Sequence, residues 1–96
     1  MNNESACKHV RAILAKNLRE CRKKAHLSQQ QLAYSAGINR TYLSDLENEN
    51  ANASVDMLVK VSEALDVSLL SLFKGLEPAV DVVLETLAQT KDGSFR

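Results

Sequence analysis

The sequence has no tryptophan, one proline, three glycines and two cysteines among its 96 residues, and only 4% of its residues are aromatic. Two cysteines are too few for a disulfide framework, and no apolar run approaches the roughly 18 residues that span a bilayer. The polar residues 1–5 also lack the apolar segment of a signal peptide. These absences predict one small globular domain in the cytoplasm, without a membrane segment.

Motifs of catalysis and metal binding are missing as well. The sequence contains no glycine-rich phosphate loop and no Gly-x-Ser-x-Gly elbow, and a chain this short has little room for a catalytic cleft or an appended effector domain. Cys7, His9, Cys21 and His26 are metal ligands by type. On one helix, however, the two cysteines would lie about 21 Å apart, whereas zinc bonds are about 2.0 to 2.3 Å long. We therefore expect no enzyme, no metal or other cofactor, and no small-molecule effector.

The charges are unevenly distributed along the chain, although the formal net charge is zero. Residues 1–40 carry eight basic and two acidic side chains, a balance of +6, and residues 41–96 carry a balance of −6. Such a polarised chain can present a basic surface to a polyanion while its other half stays acidic. Charge alone leaves open the alternative that these residues are solvated helix faces that balance one another.

Apolar residues recur every three or four positions, which predicts an all-α chain. The first predicted helix covers residues 8–25. The second covers residues 29–35, begins after a capping box of Ser28 and Gln31, and stops at Gly37. Asn39 caps a third helix. The inward positions predicted for this third helix are Tyr42, Leu43 and Leu46.

Three further helices complete the prediction. Ser54 caps a fourth helix that ends near Asp66, and Ser68 starts a short fifth helix that ends at Gly75. The predicted inward positions of the fourth are Val55, Leu58, Val61 and Leu65. Pro78 fits the first turn of a C-terminal helix over about residues 77–90. We expect a single domain with its core at about residues 8–75.

Residues 27–46 show the pattern of a helix-turn-helix, with a capped helix, a turn at Gly37 and a second capped helix that carries exposed polar residues. The small side chain of Ala33 suits the crossing of the two helices, and the third predicted helix can then lie in a DNA major groove. Residues 14–73 resemble the phage-repressor and Cro type of helix-turn-helix domain, also called XRE-like. The matching segments are Leu27-Ser28-Gln29, Leu32-Ala33, Gly37-Ile38, Leu46-Glu47-Asn48, Asn52-Ala53-Ser54 and Ala64-Leu65-Asp66-Val67-Ser68.

The resemblance implies a five-helix domain that binds operator DNA as a two-fold dimer, here with an additional C-terminal helix. The segment Asn39-Arg40-Thr41-Tyr42-Leu43-Ser44 is most similar to the recognition helix of the controller proteins of restriction-modification systems, and prophage repressors carry similar helices. Three residues depart from the pattern: Glu49 and Asp66 stand where it often has glycine, and Ala53 replaces a common proline.

The resemblance also implies roles in reading bases for five residues of the third helix, which are Arg40, Thr41, Tyr42, Ser44 and Asp45. An arginine can bond bidentately to guanine, and a threonine methyl can touch thymine. A carboxylate can accept from cytosine but is repelled by phosphate, so Asp45 either rejects wrong sequences or is a solvated charge. Tyr42 either faces DNA or belongs partly to the core.

Contacts with DNA phosphates are implied for Gln29, Asn39, Asn48, Lys23 and Lys24. Gln29 stands at the first turn of the second helix, whose positive end favours the same anion, although simple helix capping is the alternative. The two lysines either attract DNA or complement the negative end of the first helix. Arg22 and Glu47 resemble a pair that joins the first helix to the end of the third, and two unrelated solvated charges are the alternative.

Dimerisation is predicted from leftover apolar surface. Leu70 occupies a position where the family more often has a polar residue. The C-terminal helix adds an apolar stripe of Val80, Val83, Leu84 and Leu87. Alternatively, this helix folds back over its own core, with Leu70 beneath it.

Together these patterns predict a homodimeric, sequence-specific DNA-binding transcriptional regulator that binds a near-palindromic operator. A helix-turn-helix antitoxin, or another module that binds a protein, is the alternative from a different class. It would form a stable heterodimer with its partner, and the acidic residues Asp81 and Glu85 permit but do not require it. RNA binding has less support because the sequence offers no aromatic stacking platform.

Overall fold

The computed structural model describes residues 3–76 of the protein. Within this range the chain forms four α-helices and one 3₁₀ helix, and it contains no strand. The α-helices are α1 (Asn3–Lys24), α2 (Gln29–Ala36), α3 (Arg40–Glu47) and α4 (Val55–Leu65), and the 3₁₀ helix covers Leu69–Phe73. The prediction of helical structure is confirmed for these residues. The C-terminal helix predicted over residues 77–90 lies outside the described range.

Helix α1 is longer than predicted because it begins at Asn3 instead of residue 8. No glycine or proline interrupts residues 3–8. Glu4 lies in the first turn, where a carboxylate interacts favourably with the positive end of the helix. The helix therefore extends through a segment that the apolar spacing alone did not include.

The predicted fifth α-helix is wrong in type, since Leu69–Phe73 is a 3₁₀ helix. Ser68 caps it as expected. The side-chain nitrogen of Asn17, a buried residue of α1, donates to the carbonyl oxygens of Leu72 and Lys74, with both distances 2.8 Å. These contacts satisfy backbone acceptors at the end of the short helix. The helix can therefore end there without further α-helical hydrogen bonds.

All four α-helices end in the same way, with a residue in the left-handed region just after the helix. These residues are His26, Gly37, Glu49 and Asp66, with φ angles of 60°, 71°, 65° and 57°. In each case the following amide donates to the carbonyl oxygen five residues earlier, as in a Schellman motif. Only one of the four is a glycine, so the two departures at Glu49 and Asp66 keep the turn that the family pattern requires.

The core lies where α1 to α4 meet, and it consists mainly of leucine. The largest cluster contains Leu18, Leu32, Ala33, Leu43, Leu46, Val61 and Leu65, and a second contains Leu14, Leu58 and Leu72. Burying each such leucine contributes on the order of 1.5 to 3 kcal/mol. The expectation that Val55 faces inward is wrong, because this residue is 68% exposed. It opens α4 on a side that the described helices leave uncovered.

Candidate nucleic-acid interface

The sequence between residues 27 and 48 folds into two short helices whose ends are set by local hydrogen bonds. The amide of Gln31 donates to Oγ of Ser28 at 3.0 Å, and the amide of Ser28 donates to Oε1 of Gln31 at 2.8 Å. This reciprocal capping box starts α2. Gly37 ends it with a φ of 71°, a conformation that other residues adopt less readily.

Helix α3 begins at the side chain of Asn39. Its Oδ1 accepts hydrogen bonds from the amides of Thr41 and Tyr42, at 2.7 and 3.2 Å. The cap satisfies two of the amides that a helix start leaves without partners. The amide nitrogen of the same side chain donates no hydrogen bond to another group within residues 3–76, and Asn39 itself is exposed.

The two sides of α3 differ in burial. Leu43, Leu46 and Glu47 are buried against the core, whereas Arg40 and Thr41 at its start are exposed. Ser44 and Asp45 are partly buried, and Asn48, the residue after the helix, is exposed. Within the described part of the chain, the Arg40 guanidinium has no hydrogen-bond or ionic partner. The outer side of α3 therefore offers a free cation and small polar groups.

The carboxylate of Glu47 is the centre of a buried polar network. Its side chain is 1% exposed, and it accepts from Nε and Nη2 of Arg22 at 2.7 and 3.0 Å. The side-chain nitrogen of Gln29 donates to Oε1 of Glu47 at 3.0 Å. Arg22 also donates through Nη1 to the carbonyl of Leu27 at 2.9 Å. One carboxylate thus ties the end of α3 to α1, to the start of α2 and, through Arg22, to the link between them.

Arg19 also contacts the end of α3, a role that the sequence pattern did not predict. Its Nη1 donates to the carbonyl oxygen of Glu47, at the C-terminal end of α3. A guanidinium at this end also complements the negative pole of the helix. The signal in the sequence is the spacing of three between Arg19 and Arg22, because residues at i and i+3 share one side of a helix.

Tyr42 joins α3 to the loop that follows it. The residue is partly buried and packs against the main core cluster, and its hydroxyl donates to the carbonyl oxygen of Asn52 at 2.6 Å. The side chain of Asn52 in turn accepts from Nη1 of Arg11 on α1, at 3.3 Å. Tyr42 thus belongs partly to the core, and its contact with DNA stays a prediction.

The residues expected at DNA phosphates are placed differently from one another. Gln29 opens α2 and is partly buried, with one hydrogen of its amide group directed at Glu47. Lys23 and Lys24 are exposed in the last turn of α1, where they also complement the negative helix end. The side-chain nitrogen of Asn48 is 3.5 Å from Oγ of Ser44, a long contact.

Of the expected dimer residues, only Leu70 falls in the described range, and it is 80% exposed. Val80, Val83, Leu84 and Leu87 lie outside that range. Among the described residues, no three histidine, cysteine or acidic side chains are arranged to share a metal ion. None of the helices in residues 3–76 combines the length and the hydropathy of a membrane span.

Comparison with known proteins identifies the family of this chain and several relatives. Residues 18–72 match the HTH_3 family, described as helix-turn-helix. The control protein C.BamHI of Bacillus amyloliquefaciens is 37% identical over 60 residues, which cover 62% of this chain and 74% of that protein. The control protein C.MunI of a Mycoplasma species is 35% identical over 69 residues, which cover 71% of this chain and 93% of that protein.

A solved structure is similar over the same region. The crystal structure of the restriction-modification controller protein C.AhdI from Aeromonas hydrophila superposes with a TM-score of 0.64 at 33% identity. The match covers 66% of this chain and 96% of that protein. The resemblance to XRE-like helix-turn-helix proteins, and to controller proteins in particular, is confirmed.

Proposed function

We propose that this chain, which belongs to the helix-turn-helix family, binds a near-palindromic DNA operator as a homodimer and thereby regulates transcription. It is a DNA-binding regulator and not an enzyme. The helix-turn-helix family and the control proteins that it resembles support this conclusion. The observation that carries the operator proposal is the buried network around Glu47, which holds α3 in a fixed position. On the outer side of α3, Arg40 has no partner among residues 3–76. Regulation of transcription requires the protein to be where the DNA is, which supports a cytoplasmic location.

We assign base reading to the exposed start and outer side of α3. Arg40 donates to the acceptors of a guanine, and Thr41 offers its methyl group and hydroxyl to a neighbouring base. Ser44 and Asp45 follow one turn later, and the carboxylate of Asp45 accepts from a cytosine amino group while it disfavours other sequences. The bond of Tyr42 to Asn52 supports a positioning role for this residue, since it fixes the loop beside α3.

Phosphate contacts surround these residues. The amide nitrogen of Gln29 carries two hydrogens, so one bonds Glu47 while the other reaches a phosphate at the positive end of α2. Asn39 uses its oxygen as the helix cap, and this leaves its amide nitrogen as a donor. Asn48, Lys23 and Lys24 add exposed donors, and the two lysines contribute to attraction that does not depend on sequence.

The dimer is supported by Leu70. A leucine that is 80% exposed on the surface of a small domain is a candidate self-contact. Two-fold symmetry would bring the same apolar patch of each copy together and present two copies of α3 to successive major grooves, about 34 Å apart. The names of the relatives support a controller of a restriction-modification system. The resemblance also implies a repressor of similar type as the alternative, and regulation of the protein's own gene in either case.

Selection of bound duplexes from a random pool, followed by footprinting on the DNA upstream of the gene, tests this function. We expect an enriched inverted repeat whose half-sites lie about one helical turn apart. The variant Arg40→Ala serves as the comparison in the same selection. Failure to enrich any sequence at moderate salt would contradict sequence-specific binding, and enrichment of a single half-site would contradict the dimer alone.

A further inference from the structure

An apolar groove of about 460 Å³ lies between the first half of α1, the start of α4 and the end of the 3₁₀ helix. Its walls include Cys7, Val10 and Leu14 from α1, Val55 and Leu58 from α4, and Phe73. Val55 is 68% exposed at this groove although it is apolar. The groove lies apart from the outer side of α3, and neither base reading nor phosphate binding uses it.

We propose that residues 77–96 of the same chain cover this groove, with the stripe of Val80, Val83, Leu84 and Leu87 packed into it. The sequence alone allowed this stripe to pack either against a second copy of the chain or against the chain's own core. The groove favours the second place. Leu70 then remains as the self-contact of the proposed dimer.

The position where the described chain ends supports an occupant from the same chain. Phe73 already forms part of the groove wall. Two residues later the backbone runs beside α1, because a Cβ at Gly75 would lie 3.8 Å from Cγ2 of Ile13. Val80 follows Leu76 by four residues, which can span up to about 13 Å. The stripe therefore begins within reach of the groove and needs no long connection.

The lengths of the two surfaces agree. The stripe extends from Val80 to Leu87, and the α1 wall extends from Ala6 to Leu14. The stripe covers seven helical steps and the wall eight, or about 10 and 12 Å along a helix axis. One helix lying along α1 can therefore place all four apolar residues of the stripe against the groove.

The charges at the edges are complementary. Arg11 lines the groove, and Lys8 stands three residues before it, on the same side of α1. In a helix over residues 77–90, Asp81 would stand beside Leu84 at one edge of the apolar stripe, whereas Glu85 would lie on the far side of the helix. A helix that packs its stripe into the groove can thus set the Asp81 carboxylate beside the basic edge of α1.

Cys7 makes the proposal measurable, because it is a free thiol in the groove wall. Labelling of the full chain with a maleimide, followed by mass analysis of the peptides, reports how often the groove opens. We expect Leu84→Asp and Val55→Lys to speed the labelling of Cys7 by at least about tenfold, since each weakens the cover. Cys21, which is partly buried elsewhere, provides an internal reference for global unfolding.

Two control variants introduce the same charges at positions outside the proposed contact between the stripe and the groove. Gln89→Asp places its charge on the opposite side of the predicted helix from the stripe, and Val59→Lys changes α4 outside the groove. Neither should change the labelling rate of Cys7. The proposal is overturned if Cys7 of the unaltered chain reacts as fast as in Leu84→Asp. It is also overturned if labelling accelerates on dilution, because a second copy would then be the cover.

Discussion

Arg22 and Glu47 lie 25 positions apart in the sequence and form a two-point ion pair, with Nε to Oε2 at 2.7 Å and Nη2 to Oε1 at 3.0 Å. The side chain of Glu47 is 1% exposed and that of Arg22 is 14% exposed. A buried carboxylate without a partner is strongly destabilising, so the pair must form whenever α3 occupies this position. The orientation of α3 is therefore coupled to the end of α1.

Removal of one partner of this pair should destabilise the fold more than removal of both. Arg22→Met leaves Glu47 buried with Gln29 as its remaining donor, and we expect the free energy of unfolding to fall by about 3 to 5 kcal/mol. The double variant Arg22→Met/Glu47→Leu buries no charge there and should lose less. Urea unfolding of the unaltered chain, Arg22→Met, Glu47→Leu and the double variant measures the coupling.

Lys16→Ala is the control, because Lys16 is an exposed residue of the same helix. Its free energy of unfolding should change by no more than about 0.5 kcal/mol. If the two single substitutions simply added in the double variant, the ion pair would not be the element that couples α1 to α3.

Base reading by Arg40 predicts a loss of both affinity and selectivity. Arg40→Ala should cost about 1 to 3 kcal/mol on the preferred site and relax the preference at one base pair, because a bidentate contact with guanine disappears. Binding titrations on a site that carries every single-base change measure both effects. Lys60→Ala, which removes an exposed lysine of α4, should leave the order of these sites unchanged.

Gln29→Ala provides a second comparison in the same titrations. It should weaken binding to all sequences alike, since a phosphate contact carries no base preference. An Arg40→Ala protein that kept the full order of site preferences would show that Arg40 does not read a base.

A charge at Leu70 should separate the copies without unfolding them. Leu70→Glu places two like charges in a desolvated contact, and an exposed position tolerates glutamate in the monomer. We expect monomers at tens of micromolar by sedimentation equilibrium, unchanged helix content by circular dichroism, and weaker cooperative binding to the full operator. Val55→Lys charges another exposed apolar position and should still dimerise. A Leu70→Glu protein that dimerised normally would show that the interface lies elsewhere.

The left-handed residues after the helices predict opposite effects of two small substitutions. Gly37→Ala should lower the free energy of unfolding by about 1 to 2 kcal/mol through the backbone alone, because no atom lies within 4 Å of the added Cβ. Glu49→Gly should raise it by up to about 1 kcal/mol, since Glu49 has a φ of 65°. Thermal unfolding measures both. Glu49→Ala keeps a Cβ in the same conformation and should show no such gain.

Local features of the sequence were sufficient to predict where α2, α3 and α4 begin. Ser28, Asn39 and Ser54 each cap a helix in the structure, and Gly37 makes the expected turn. These features act over three or four residues, so the same hydrogen bonds are available before the chain packs. The apolar spacing likewise indicated most core positions, although Val55 shows that a residue at a helix start can satisfy the spacing and still remain exposed.

Contacts between distant residues depended on the tertiary structure. Asn17 meets the carbonyl of Leu72 across 55 positions, and this contact helps to end the 3₁₀ helix where an α-helix was predicted. Arg19 reaches the end of α3, and Gln29 turns its amide to Glu47, two contacts that the local capping pattern did not predict. Such bonds form only when packing of the apolar core sets the angles and distances between helices, because a side chain's own neighbours in sequence do not determine what lies across the core.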